Sequence, residues 1–249
     1  SSIKNDLTGL RALLLHRRPP RIAALGMPGS GRSSVLRALI ERGPIHDPLH
    51  AEHGHWVHLE HEGAQVHWLE IDATSDLARG QWKAALEKEL PDLVFLMIEP
   101  NNMGEAREIL TRAKSLLPDL PEGAEPLRVF PLLTHADLIG SGVADIESER
   151  DLLDEKLREV GVQADPARAV SAISGFGLEG LSEAMVLALP EEARLEAARA
   201  LRGVVDGGHS GAHQGLADLR PQPGRVGPRQ AQHGPRHLGV DPSLVLLHE

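Results

Sequence analysis

Cysteine and tyrosine are absent, and aromatic residues make up only 2% of the 249 residues. Without cysteine there is no disulfide framework and no thiolate metal site, and a reducing cytoplasm is the expected compartment. With so few aromatics, a core must be built from Leu, Val, Ile and Ala, which suits helices packed on a buried parallel sheet. Basic residues are also few: 26 Lys and Arg against 36 Asp and Glu leave a formal net charge of -10. Such a body lacks the clustered cations that neutralise a phosphate backbone, so no nucleic-acid partner is expected. No apolar run approaches the ~20 residues that span a bilayer. No signal-peptide core follows Ser1, and the missing initiator Met reads as a fragment boundary. Peripheral membrane association stays open.

What is present is an alternation of short apolar runs and amphipathic stretches. Residues 3–16 have helical spacing, and 21–25 (RIAAL) form a buried strand. A Gly/Pro/Ser turn and an amphipathic helix over 33–42 follow. Residues 43–54 form a loop rich in Pro, Gly and His. Strands over 55–60 and 64–72 meet at Glu62-Gly63, a hairpin signal. Helices are expected over 76–90, 104–117, 145–160 and 178–189, with strands over 92–98, 127–133 and 167–173 between them. Pro131 sits awkwardly in the strand 127–133, because it cannot donate to a ladder.

This order predicts an α/β fold. The expectation is a three-layer sandwich with a mostly parallel sheet of about six strands and helices on both faces. The expected organisation is an N-terminal helix (1–19), a domain (20–190) and a C-terminal helix (191–205). That last helix is free to dock on a partner or on a missing domain. From 206 to 249 the chain is rich in Gly, Pro, Arg, Gln and His with almost no apolar periodicity. It reads as a disordered tail or as non-native, out-of-frame sequence.

The strongest motif is Gly26-Met27-Pro28-Gly29-Ser30-Gly31-Arg32-Ser33, with Ser34 beside it. It fits G-x-x-x-x-G-K-[S/T] except that Arg32 stands where Lys is expected, and it lies between a strand and a helix as required. Glycines let successive N–H groups curl around a phosphate, and the following helix adds its N-terminal partial charge. Ser33 would place a hydroxyl on Mg²⁺, and Arg32 would reach outward to the terminal phosphates. The plain alternative is an ordinary Gly-rich βα turn. Arg is not a conservative replacement for Lys, since a planar fork differs from a compact point charge.

Three further segments follow in order, each after an apolar strand. They are Trp68-Leu69-Glu70-Ile71-Asp72-Ala73-Thr74-Ser75, Thr134-His135-Ala136-Asp137, and Ser171-Ala172-Ile173 followed by Ser174-Gly175-Phe176-Gly177-Leu178-Glu179-Gly180-Leu181. With the first motif, they resemble the guanine-nucleotide motifs of the small-GTPase-like superfamily over about residues 20–190. The resemblance implies that Asp72 holds Mg²⁺ through water and that Asp137 accepts hydrogen bonds from the guanine ring. It also implies that His135 covers the base where Lys is usual, with Thr134 beside it. The backbone of Ser171, Ala172 and Ile173 would touch the guanine oxygen. Read without it, Asp72 is an Asp after a strand and Asp137 a helix N-cap.

The chain departs from that pattern in three places. Arg32 replaces Lys, Ser75 replaces the Gly that contacts the γ-phosphate, and residues 41–72 contain neither Thr nor Ser. Positioning and charge stabilisation are most of phosphoryl-transfer catalysis. The expectation is therefore a GTP/GDP-binding protein needing Mg²⁺, a slow hydrolase at best. Arg32 and Asp72 are its candidate catalytic residues, and a protein effector or regulator is its expected partner. The arrangement is also similar to bacterial GTPases whose nucleotide domain precedes a helical, membrane-associating region. The rivals are a non-hydrolysing pseudo-GTPase acting as an interaction module, a P-loop ATPase or kinase, and a His-rich metal-binding protein. The last reading rests on His46, His50, His53, His55, His58, His61 and His67, with His53 and His55 on one strand face. A solvated loop explains those residues more simply.

Overall fold

The computed structural model describes residues 17–41, 54–61, 63–117, 127–140 and 142–206. The helix expected over 3–16, most of the loop 43–54 and the tail from 207 onward lie outside the described residues. The chain opens with β1 (Arg21–Gly26) and α1 (Arg32–Glu41), then the hairpin β2 (Trp56–His61) and β3 (Ala64–Asp72). α2 (Ala78–Leu86), β4 (Leu93–Ile98), a 3-10 turn (Pro100–Glu105) and α3 (Ala106–Lys114) follow. β5 (Arg128–Leu133), a 3-10 turn (Ala136–Leu138), α4 (Val143–Val160), β6 (Arg168–Ala169), α5 (Leu178–Ala188) and α6 (Glu191–Asp206) complete it.

The six strands form one sheet in the order β2-β3-β1-β4-β5-β6. β2 runs antiparallel to β3, and every other pairing is parallel. Successive strand residues point to opposite faces, and β1 shows it. Ile22 and Ala24 join the core under α1, α5 and α6, while Ala23 and Leu25 join the core under α2, α3 and α4. This is the expected three-layer sandwich. α6, expected to stand apart, contributes Ala193, Ala197, Ala200 and Leu201 to the first of those cores. Its alanines let the helix approach the sheet closely.

Pro131 is accommodated inside β5 because of parity. The Leu133 carbonyl accepts from Val170 N–H on the β6 side. Pro131, two residues earlier, therefore faces the same side. The β6 ladder begins only at Leu132 opposite Arg168, so the missing N–H costs no bond toward β4. The strand expected over 167–173 shortens to Arg168–Ala169, because the chain from Val170 turns into a loop.

Entry to β1 is held by Arg18. Its guanidinium donates to both oxygens of Asp92, at 2.8 and 2.7 Å, and to Glu192 Oε1 at 3.3 Å. The hydrogen bonds to Asp92 hold the Arg18 guanidinium above its ordinary pKa, against the opposing effect of burial. Asp92 also accepts from Arg21 N–H at 2.9 Å, and its side chain is 7% exposed. Asp92→Ala removes three charge-assisted bonds from the junction of β1, β4 and α6. It should lower unfolding free energy by about 2–3 kcal/mol, read as a lower urea midpoint at unchanged slope.

Candidate functional site

The sequence motifs converge because the strands carrying them end together. Gly26 pairs with Asp72 and with Met97, Ile98 with Leu133, and Leu133 with Ala169. The carboxyl ends of β1, β3, β5 and β6 thus lie along one edge of the sheet, where ligands of α/β sheets bind.

The loop between β1 and α1 curls through Gly29 and Gly31, at φ 84° and 79°. Ser30 N–H donates to Met27 O, and Val35 N–H donates to Gly31 O. Pro28 and Gly29 are exposed at the tip, Ser30 is buried, and Ser33 and Ser34 are half-buried in the first turn of α1. The first N–H groups of a helix have no intrahelical acceptor and carry its positive end. They begin here at Arg32.

The Arg32 side chain does not extend outward as expected. It is 4% exposed and donates to Gly26 O at 2.8 Å and to Ile71 O. Its Nε lies 3.8 Å from Glu70 Oε2. Glu70, itself 1% exposed, accepts from Trp68 Nε1 at 2.9 Å. Burial holds the Arg32 guanidinium below its ordinary pKa, against the attraction of Glu70 and Asp72. The reason is steric and electrostatic. Two strand-end carbonyls and a buried carboxylate satisfy the forked donors more fully than solvent beyond the loop. The sequence reading gave Glu70 and Trp68 no role of their own, although a Glu in an apolar strand of a chain with an Arg-for-Lys replacement was a usable signal.

At the end of β3, the Asp72 carboxylate accepts from Thr74 N–H at 2.9 Å and from Thr74 Oγ1 at 2.6 Å, both on Oδ1. This is an Asx-type turn, and Asp-x-Thr was its overlooked signature. Ser75 N–H donates to Asp72 O, and the Ser75 hydroxyl accepts from Leu77 N–H at 3.2 Å. The amide at the position where the resemblance places a γ-phosphate contact is committed to the turn into α2.

The loop after β5 approaches the first loop through His135. This residue has φ 52°, an uncommon left-handed conformation for a non-glycine. Its ring lies against Gly31, where an added Cβ would stand 3.2 Å from His135 Cε1. Thr134 is buried and bonded through its N–H to Ile98 O at 2.9 Å. Asp137 is exposed, and its Oδ1 accepts from the Ser171 hydroxyl. That same hydroxyl accepts from Ser174 N–H at 3.1 Å. Ala136 N–H donates to Val170 O, which locks the two loops together. Ala172 is buried, while Ile173 is 59% exposed. Gly31 thus touches His135, two residues before Asp137, whose carboxylate touches Ser171.

No protein-family model and no curated protein matches this sequence. Solved structures do match. The Arl6 (BBS3) small GTPase of Trypanosoma brucei, with a bound nucleotide analogue GppNp, aligns at TM-score 0.50 and 14% identity. The match covers 69% of this chain and 98% of that one. The complex of SsGBP with GDP aligns at TM-score 0.48 and 14% identity, over 77% of this chain and 58% of that one. A GTP-binding protein from Sulfolobus solfataricus in complex with GDP aligns at TM-score 0.43 and 13% identity, over 80% and 58%. The chain thus spans less than two thirds of the length of the latter two. The Arl6 match shows that this chain has a small-GTPase-like P-loop α/β fold. Among the described residues, no helix is long and apolar enough to cross a membrane.

Proposed function

We propose that this chain, with its small-GTPase-like P-loop fold, binds a guanine nucleotide along the carboxyl edge of the sheet and turns it over slowly or not at all. The observation that carries the reading is the contact chain Gly31–His135 and Asp137–Ser171. It puts a curled, N–H-lined loop beside an exposed carboxylate at a fold position suited to ligands. In this reading Gly26 to Ser34 hold the phosphates through main-chain N–H groups. The Asp137 carboxylate accepts from the base N–H and amino donors, which guanine has and adenine lacks as a pair. His135 covers the base face, and the Ser171–Ile173 backbone closes the base side.

The Ser33 hydroxyl and the Asp72 carboxylate are hard oxygen donors of the kind Mg²⁺ takes. Thr74 orients Asp72 through one oxygen. Both residues would hold the ion together with nucleotide phosphates. Bound there, Mg²⁺ would neutralise charge on the phosphate oxygens. The remaining apparatus favours binding over turnover. The Arg32 guanidinium is committed to carbonyls, Ser75 N–H is committed to Asp72 O, and 41–72 supplies no hydroxyl. An interaction module that binds nucleotide without hydrolysing it, read by a protein effector, is the second form of the proposal.

Calorimetric titration of the chain with GDP and Mg²⁺ tests the first claim. GDP should bind more tightly than ADP by at least about 30-fold. Asp137→Ala should erase most of that preference by removing two base hydrogen bonds, with ADP affinity little changed. Equal affinities for GDP and ADP would sink the guanine assignment. Single-turnover hydrolysis separates the two forms: a rate no higher than that of Asp72→Ala favours the non-hydrolysing one.

A further inference from the structure

Away from the strand-end edge, side chains of the type that bind metal come together on the β2–β3 hairpin. His58 and His67 are direct cross-strand partners. Their rings stack at 3.8 Å between centroids and 8° between planes. Glu89, just beyond the end of α2, reaches across to both. Its Oε2 lies 2.7 Å from His67 Nδ1, and its Oε1 lies 3.7 Å from His58 Nε2. Arg21, paired with His67 in the sheet, places its Nε 3.3 Å from Glu89 Oε2. One ligand atom from each of His58, His67 and Glu89 lies within 4.8 Å of the other two.

We propose that His58, His67 and Glu89 bind a divalent transition-metal ion, with Zn²⁺ the representative. Three observations converge on it. The spacing is right: bonds of about 2.1 Å in a tetrahedral Zn²⁺ site put ligand atoms about 3.4 Å apart. The His58 Nε2–Glu89 Oε1 separation, 3.7 Å, is close to that value, and a ligand atom of His67 lies within 4.8 Å of the other two. The donor set is selective, since two imidazoles and one carboxylate suit Zn²⁺, Ni²⁺ or Cu²⁺ rather than Mg²⁺ or Ca²⁺. The third observation is the gap between His58 and Glu89. At 3.7 Å it is too long for a hydrogen bond, and a cation can bridge the two atoms when the His58 proton sits on Nδ1.

Arg21 and the sheet supply the outer support. Arg21 engages Oε2 and leaves Oε1 turned toward His58, an arrangement that orients a ligating carboxylate. Parallel stacked rings do not aim their in-plane lone pairs at one point, so binding requires His58, 62% exposed, to turn out of its stack with His67, while His67 and Glu89, 14% and 21% exposed, hold their places. In the metal-bound form the His67 proton moves from Nδ1 to Nε2, so the neutral ring keeps one proton. Three protein ligands leave a fourth position for water. The ligands come from β2, β3 and the segment after α2, so the ion would staple the hairpin to that helix. His67 stands five residues before Asp72 along β3, about 16 Å away. The ion and the strand-end site are therefore separate.

The test uses the whole chain stripped with a chelator and titrated with Zn²⁺ against a chromophoric competitor. Co²⁺ absorption gives a second readout. One equivalent should bind most tightly, and Co²⁺ should give ligand-field bands of a four-coordinate site. His58→Asn, His67→Asn and Glu89→Gln should each weaken that equivalent by at least about tenfold and remove the bands. His55→Asn, one residue before β2, should leave it within about twofold. His58 is exposed, so its variant reads metal binding without a folding cost, and thermal unfolding in chelator checks the other two. A tightest equivalent unchanged within about twofold in both His58→Asn and Glu89→Gln overturns the site. That result would leave the cluster as a hydrogen-bonded histidine–carboxylate pair.

Discussion

Gly177→Ala is expected to lower the unfolding free energy by about 3 kcal/mol, although it adds a single methyl group. Gly177 precedes α5 with φ 72°, in the left-handed region that disfavours a Cβ by about 1–2 kcal/mol. The added carbon would overlap the carbonyl oxygen of Ala169 and crowd Val170. That oxygen belongs to main chain at the end of β6, so relief requires moving either α5 or the edge strand. Overpacking of this kind adds about 1–3 kcal/mol. The consequence extends beyond stability. Val170 N–H is bonded to Leu133 O, Val170 O to Ala136 N–H, and Ser171 N–H to Phe176 O. A displaced β6 end therefore shifts Ser171 away from Asp137, and GDP affinity should fall with stability. Gly180→Ala is the control. A Cβ there meets nothing within 4 Å, and inside α5 it should be neutral or stabilising by up to about 1 kcal/mol. Denaturant titration of both variants distinguishes the two sites. Equal stabilities would refute the packing described at Gly177.

Arg32→Ala should be at least as damaging, costing about 3–5 kcal/mol. Removing one member of a buried ion pair leaves an uncompensated charge, and that penalty exceeds the worth of the pair itself. Here the remaining partner is Glu70, 1% exposed, with Trp68 Nε1 on its other oxygen. The carbonyls of Gly26 and Ile71 lose a charged donor in the same step. Gly26 O keeps its bond from Ala73 N–H, so the loop is weakened rather than released. Arg32→Met combined with Glu70→Leu should recover most of the loss, because an apolar pair of similar volume carries no desolvation cost. A double-mutant cycle measures the coupling directly. Coupling below about 0.5 kcal/mol would mean that the guanidinium and Glu70 act independently. In that case the carbonyls of Gly26 and Ile71, not Glu70, would hold Arg32 in its inward position.

These two predictions differ in how far the sequence anticipated them. The G-x-G before Leu178 entered only as part of a family resemblance, and the proximity of Ala169 O is what turned the second glycine into a steric requirement. Arg32 stood in a motif that implies an outward-reaching cation. Nothing in that motif records Glu70 or the carbonyl of Ile71, which β3 brings alongside β1 through the Gly26–Asp72 register. Likewise, the seven histidines of 46–67 read as a solvated loop. The pairing of His58 with His67 depends on hairpin register, and Glu89 arrives from a helix end 22 residues further on.

Local sequence determined the elements and their order, because apolar periodicity and glycine turns act over a few residues. It also determined which strand ends carry polar motifs, and hence the edge along which a ligand would bind. Side-chain direction was decided elsewhere. Arg32 turned inward, Ser75 N–H closed a turn, α6 joined the core, and His135 took a left-handed conformation against Gly31. Each of these depends on atoms contributed by a different strand or helix. Burial and hydrogen-bond satisfaction are settled only when those segments meet.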